Sequence, residues 1–301
     1  MKIAVIGHAS IDSVKTNEEE WETIGGSLVY SGITLNKFGI KVKPITKIGK
    51  DFSQRWISEL SKSGIKLNNN DISRKQKTTR FRITINENQE REIKLIEKCE
   101  DISEEMIKRI KADGIIINPI ANEISLDSLK KILRNDSVTY VDPQGFLRRF
   151  DKEGKCKLTE VNQENFSQAN ILKINMEEAK MITGHTSPEN IINTLNKNEI
   201  KVIILTQGSK GTYIINNKRI NYLPFKKKIN IKDTTGAGDI LAGAFMAKYL
   251  ETKDEIESLC TATAIVRIAL SKKTVNKIPE LNEIENEKEE LSRNIIRKEN
   301  Y

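Results

Sequence analysis

The segment Asp233-Thr234-Thr235-Gly236-Ala237-Gly238-Asp239, followed at once by the apolar run 240–246, has the make-up of a loop turning into a helix. Gly236 and Gly238 leave no side chain between an incoming anion and the backbone N–H groups. The first turn of a helix aims its unpaired donors and positive dipole end the same way. The segment is therefore a candidate phosphate cradle. A carboxylate beside such a cradle is repelled by the ligand unless the chemistry needs its charge, and taking the proton of an attacking hydroxyl is such a need. Asp239 is thus the candidate catalytic base, and Gly236, Ala237 and Gly238 are the candidate anion donors. A β-carbon at Gly236 or Gly238 is expected to intrude on the phosphoryl site. The plainer reading is a capping Asp among flexible glycines at a helix start.

The elements that must hold this loop read as alternating strands and helices. Residues 1–7 form a buried strand closed by Gly7, 28–38 a helix ending near Gly39, 42–48 a second strand and 52–60 a helix. Such alternation predicts a mostly parallel sheet with helices on both faces. Residues 81–85 and 93–95 alternate with period two around the turn-like 86–89, which predicts a hairpin. Four short apolar strands follow, each ending in a polar residue: Asn118, Asp142, Asn175 and Thr206. Ligands in open α/β sheets gather at the carboxyl ends of strands, so these four are expected to line one crevice. A buried helix is predicted from Thr252, with Glu255 completing a capping box, to about Leu270. The tail from Asn282 reads as a charged, solvated helix.

Composition narrows the function. At 301 residues the chain can bury a large core, and no linker-like stretch divides it, so a single domain is expected over 1–301. No apolar run is long enough to span a membrane, and the opening strand does not read as a signal peptide; a soluble, cytoplasmic protein without a membrane partner is expected. Three scattered cysteines and two histidines argue against a disulfide framework and a His-based zinc site. His8, at the end of the first strand, reads as a packed or hydrogen-bonding residue. The net charge of +8 raises a nucleic-acid hypothesis, but acids interleave with the bases, only 226–228 forms a basic run, and aromatics are 5%. No nucleic-acid partner is expected. The Lys that a Walker loop needs is absent, and Gly7-His8-Ala9 replaces the Rossmann Gly-x-Gly.

The 233–239 segment resembles the signature of the PfkB (ribokinase-like) carbohydrate kinases, and the resemblance extends over nearly the whole chain. Gly25-Gly26 matches the family's N-terminal glycine pair, Asn175-Met176-Glu177-Glu178 its Asn-x-x-Glu element, and the segment from Thr206 through Gly208 to Gly211 its nucleotide loop. The resemblance implies a three-layer α/β fold with a small β-lid, formed here near 12–24 and 78–96 and able to close on the acceptor. It implies in-line phosphoryl transfer from ATP to a hydroxyl, with Asp239 as base and Asp233 and Thr235 shaping the loop. Asn175 and Glu178 would organise Mg²⁺ and the triphosphate, Glu178 reaching the metal through water. Asp12 would meet acceptor hydroxyls. The adenine would lie against the helix face 262–270, although Ser271-Lys272-Lys273 departs from the family's small turn and leaves base preference open.

The string Asp142-Pro143-Gln144-Gly145-Phe146-Leu147-Arg148 resembles the archaeal myo-inositol kinase branch. It implies a polyol acceptor, myo-inositol, met by Asp12, Asp142, Gln144 and Arg148. No aromatic pair for a nucleobase stands out in the sequence. A nucleoside, a sugar or 2-keto-3-deoxygluconate remains open as acceptor, and so do a monomer and a homodimer.

Overall fold

The computed structural model describes residues 1–86, 91–108, 110–216, 219–225, 229–273 and 277–298. The predicted turn at 86–89 lies outside them apart from Asn86, and the basic run 226–228 lies outside them entirely.

The chain opens on β1 (Lys2–Ile6), then forms β2 (Ser10–Lys15) and β3 (Glu20–Gly25) before α1 (Ser27–Lys37) and β4 (Lys41–Ile45). Next come α2 (Gln54–Lys62), the pair β5 (Thr79–Ile85) and β6 (Arg91–Glu97), and α3 (Glu104–Lys108). Strands β7 (Gly114–Ile117) and β8 (Val138–Val141) flank α4 (Leu126–Leu133). A short α5 (Gln144–Leu147) leads into the two-stranded β9 (Arg148–Phe150) and β10 (Cys156–Leu158). The sequence β11 (Ile171–Asn175), α6 (Met176–Thr183), α7 (Pro188–Leu195), β12 (Val202–Thr206) restores the alternation. The hairpin β13 (Gly211–Asn216) and β14 (Arg219–Pro224) precedes the long helices α8 (Ala237–Thr252) and α9 (Glu255–Leu270), and α10 (Glu285–Arg293) and β15 (Ile296–Lys298) close the described chain.

Nine strands make the main sheet in the order β15-β14-β13-β12-β11-β8-β7-β1-β4. Strands β12 through β4 in that order run parallel, and β13, β14 and β15 pair antiparallel at the other end. Both faces are covered, as a parallel sheet requires. Ile3, Val5 and Ile116 pack with α1, α8 and α9 on one side, while Ala4, Ile6, Ile115 and Ile117 pack with α4, α6 and α7 on the other. Helix α8 is apolar nearly all round, with 240–247 buried, because it lies between the sheet and its neighbours. The chain leaves β1 for β4 on one side and later crosses to β7 on the other. The ends of β1 and β7 therefore flank the point where the strand order reverses, the usual crevice of such sheets.

The predicted hairpin belongs to a separate four-stranded sheet, β3-β2-β5-β6, in which β2 pairs parallel with β5 and the other pairs are antiparallel. Its core is a small cluster of its own, Val14, Phe81, Ile83 and Ile85 with Ile120 and Ala121.

Several boundaries differ from the sequence expectation. The second strand stops at Ile45, and Ile48 makes only an isolated bridge to Ile72. The helix expected from residue 52 starts at Gln54 because the Ser53 side chain accepts from Trp56 N. Thr252 does not cap α9: it ends α8, and the Asp254 carboxylate accepts from Ile256 N and Glu257 N instead. The tail is not wholly a solvated helix, since α10 buries Leu291 and β15 adds a strand to the main sheet.

The small sheet buries far fewer side chains than the main one, so it should open more readily. Backbone amides of β2 and β5 are expected to exchange faster than those of β1, β7 and β8 in hydrogen-exchange mass spectrometry. Equal protection in both sheets would show that they open as one unit.

Candidate active site

Gly236 caps α8 in a left-handed conformation (φ 71°), and Asp239 is the third residue of the helix. The first amides of any helix lack an intrahelical acceptor, so those of Gly238 and Asp239 face the crevice unpaired within α8. The Ala237 amide turns back to Thr234 O at 3.3 Å, a weak turn bond that makes it the least available of the expected donors. Packing of α1 against α8 fixes this end: Ser31 Oγ donates to Asp239 O at 2.8 Å, and Gly243 lets the Ser31 backbone approach.

Asp239 is half-buried among charges. Asn118, at the end of β7, donates from Nδ2 to Asp239 Oδ1 at 2.5 Å and fixes one oxygen of the carboxylate. Burial, reinforced by the nearby Asp142 carboxylate and opposed by Lys173 and Arg148, pushes the Asp239 carboxyl up to about 7. Under the loop lies Lys173, 6% exposed, whose Nζ donates to Asp142 Oδ2 at 2.7 Å and sits 4.0 Å from Glu178 Oε2. Burial alone would lower the Lys173 ammonium, but these carboxylates hold it above its ordinary range. Burial likewise raises the Glu178 carboxyl against the pull of Lys173. Lys173 was not a sequence candidate, although a lysine inside the apolar strand Ile171-Leu172-Lys173-Ile174 was the available signal.

A cavity of about 500 Å³ opens over this floor. The four strand-end residues Asn118, Asp142, Asn175 and Thr206 all line it, as expected. So do Gly236, Ala237, Gly238, Asp239 and Thr235 of the loop, Gly208 beyond β12, and Gly26, Asp12, Gln144 and Arg148 on the small-sheet side. Burial pushes the Asp12 carboxyl up to about 6, and Ser10 Oγ donates to its Oδ1 at 2.8 Å. Arg148 is braced by donating to Ile120 O at 3.1 Å.

Four candidates stand behind the cavity wall. Gly25 does not reach the cavity; its bare Cα leaves room for the Asp12 carboxylate, which a β-carbon there would meet at 2.1 Å. Gly211 starts β13 and lies against Leu223 O. Asp233 holds the loop from below, accepting from Thr235 N at 2.8 Å. Glu178 is 2% exposed and forms a reciprocal capping box with Asn175: its Oε2 accepts from Asn175 N at 2.8 Å, while Asn175 Oδ1 accepts from Glu178 N at 2.9 Å. Among the described residues no three His, Cys, Asp or Glu side chains cluster to hold a metal, and no helix is long and apolar enough to cross a membrane. His8 is fully buried, its ring nitrogens 2.8 Å from Thr79 Oγ1 and 2.9 Å from Glu100 O, as its packed reading implied.

The two loop glycines differ. A β-carbon on Gly238 would lie 3.4 Å from Lys173 Nζ and 3.7 Å from Asp142 Oδ2, inside the site. One on Gly236 would strike the buried Tyr30 ring at 2.3 Å, away from the phosphoryl site that the sequence reading assigned to it. Gly238→Ala is therefore expected to cut turnover while the melting temperature holds. Gly236→Val should lose stability as well, by roughly 1–3 kcal/mol from overpacking and the positive φ. Thermal melts beside rate measurements separate the two; equal melting temperatures would refute the distinction.

The pfkB family carbohydrate kinase profile matches residues 1–281. A cytidine kinase of Thermococcus kodakarensis is 28% identical over 259 residues, covering 83% of this chain and 88% of that protein. A nucleoside kinase of Methanocaldococcus jannaschii is 23% identical over 269 residues, covering 84% and 85%. Among solved structures, a pyrophosphate-dependent kinase in the ribokinase family, complexed with a pyrophosphate analogue and myo-inositol, matches with a TM-score of 0.76 at 21% identity, over 91% of this chain and 97% of that one. That likeness speaks for the fold alone. With the family profile running from β1 to beyond α9, the chain belongs to the pfkB carbohydrate kinases, phosphotransferases of ribokinase-like fold that act on sugars and nucleosides.

Proposed function

We propose that the protein is an ATP- and Mg²⁺-dependent kinase whose acceptor is a nucleoside, phosphorylated on a ribose hydroxyl. The observation that carries the acceptor is the mixed lining of the cavity, part apolar and part polar. Phe81, Ile83 and Ile93 of the small sheet, with Ile120, present an apolar wall, and Phe81 is braced by the Phe150 ring at 6.0 Å. Asp12, beside Phe81 in the paired strands β2 and β5, lines the same cavity with Asn118, Arg148 and Asp239. A nucleoside has matching parts, an apolar base face and a hydroxylated ring. The two rings come from residues 69 positions apart, one on each small sheet, and of the two only Phe81 lines the cavity. Closure of the small sheet as a lid would exclude water from the transfer.

ATP as donor is supported by Thr263, Val266 and Leu270 of α9, which with Phe225 and Ile231 offer an apolar slot that pyrophosphate would not need. In the transfer Asp239 accepts the proton of the attacking hydroxyl, oriented by Asn118. The Gly238 and Asp239 amides, the α8 dipole and the Lys173 ammonium beneath them stabilise negative charge on the moving phosphoryl oxygens. Asp142 and Glu178 are already paired with Lys173, so these residues suit a Mg²⁺ held mainly by phosphate oxygens and water, with Glu178 reached through water. Bound there, Mg²⁺ would neutralise phosphate charge.

Asp239→Asn is expected to lower kcat roughly 100-fold to 10,000-fold with nucleotide affinity nearly kept. A carboxyl raised to about 7 must lose its proton to act as base, so wild-type kcat/KM should fall as pH drops through about 7. Turnover of the Asn variant within a factor of a few of wild type, or a flat acid limb, would remove Asp239 from that role.

A second acceptor, myo-inositol, is favoured by the convergence of Asp12, Gln144 and Arg148 on the same cavity, which supplies both donors and acceptors for a hydroxylated rim. Values of kcat/KM for cytidine, adenosine, ribose, 2-keto-3-deoxygluconate and myo-inositol under identical MgATP decide between them. A nucleoside is expected to lead myo-inositol by about tenfold, or about 1.4 kcal/mol in transition-state binding. The reverse order would establish the cyclitol.

A further inference from the structure

The catalytic loop is held from behind by a cation that the chain itself supplies. Lys277, in the segment between α9 and α10, is 1% exposed. Its Nζ donates to Asp233 Oδ2 at 2.9 Å and to Thr235 O at 2.5 Å, with Asp233 O at 3.4 Å, and lies 5.3 Å from the centre of the Tyr30 ring. A desolvated ammonium is tolerated only where oxygens replace its water, and here they include one carboxylate and two carbonyls of a single loop. The geometry has a directional effect. In a trans peptide the C=O and the following N–H point opposite ways. Fixing Thr235 O on Lys277 therefore turns the Gly236 amide away from Lys277, and Asp233 O does the same for the Thr234 amide. The Tyr30 ring beside the ammonium is also the surface against which Gly236 packs. No sequence motif marks Lys277, which lies 38 residues beyond Asp239.

We propose that Lys277 is a tethered monovalent cation that turns the Thr234 and Gly236 amides away from itself and toward the transferred phosphoryl group, so that the enzyme needs no free monovalent cation. The proposal rests on the kinase reading for its catalytic readout but not for its structural one. Lys277 is a positioning residue, since nothing places it against substrate. Removing its side chain beyond Cβ leaves a pocket walled by the same oxygens, of a chemistry suited to K⁺ or ammonium.

The test compares wild type, Lys277→Ala and Lys277→Met in tetramethylammonium buffer, with and without K⁺, Na⁺, ammonium or methylamine. Wild-type kcat should be indifferent to these ions. Lys277→Ala should lose roughly tenfold or more in kcat, with acceptor KM little changed, and regain much of it with K⁺, ammonium or methylamine. Lys277→Met, which fills the pocket, should be impaired and not rescued. Thermal melts read the cation site without any substrate: K⁺ or ammonium should raise the melting temperature of Lys277→Ala and leave wild type unmoved. A wild type that requires added K⁺, an Ala variant as active as wild type, or an Ala variant whose melting temperature ignores all the ions would each overturn the proposal. Absence of wild-type turnover would instead count against the kinase reading, and the melts would still decide the cation site.

Discussion

Keeping several charges out of water at one edge of the sheet is the constraint on which the rest of the site depends. Asp142, Glu178 and Asp239 face a buried Lys173, and the lysine is what allows carboxylates to crowd there at all. Removing either partner of such a pair would leave an uncompensated buried charge, a change that typically costs about 3–5 kcal/mol. Because Lys173 already answers Asp142, it cannot fully offset Asp239, whose carboxyl stays poised near neutrality. The polar ends of β7, β8, β11 and β12 are close because these strands are consecutive parallel neighbours in the sheet. They are the positions where a parallel sheet opens to solvent and a charge can be half-hydrated.

A second constraint is geometric. The loop before α8 must turn tightly enough for a left-handed Gly236 to nest on Tyr30 while presenting its amides upward. Asp233 and Lys277 grip it from underneath, and α1 fixes the start of α8 through Ser31. The proposed acceptor wall is supplied separately by a small sheet with its own minor core. Rigid chemistry and a less firmly anchored wall are thus built from different parts of the chain.

Much of this was legible in the sequence because it is written in local patterns. Alternating strands and helices gave the layered sheet, period-two residues at 81–85 gave a strand of the second sheet, and the polar strand ends Asn118, Asp142, Asn175 and Thr206 identified the crevice. What escaped depends on distant partners. Lys277 looks like an ordinary lysine until Asp233 closes on it, and Lys173 is marked only by the apolar strand around it until Asp142 does the same. A β-carbon on Gly25 or Gly236 would meet Asp12 or Tyr30, partners from other segments that no local pattern announces, while Gly236 itself lines the crevice. Strand β15 carries charged residues because it pairs at the sheet edge, where hydrogen bonds and not apolar burial hold it. The capping residue of α9 was misplaced by two positions, since Thr252 and Asp254 are both good caps and only the end of α8 distinguishes them.

Asp239 and the amides around it occupy one helical turn, and that turn is welded into a helix whose residues 240–247 are all buried. On the proposed mechanism the proton acceptor and the anion receptor therefore share a frame of reference: no motion of the small sheet alters the distance between them. Residues such as Phe81, Ile83 and Ile93 can be exchanged through mutation without recalibrating the transfer step. Substrate choice and reaction chemistry are then separately heritable properties of this chain, and drift in the first leaves the second intact.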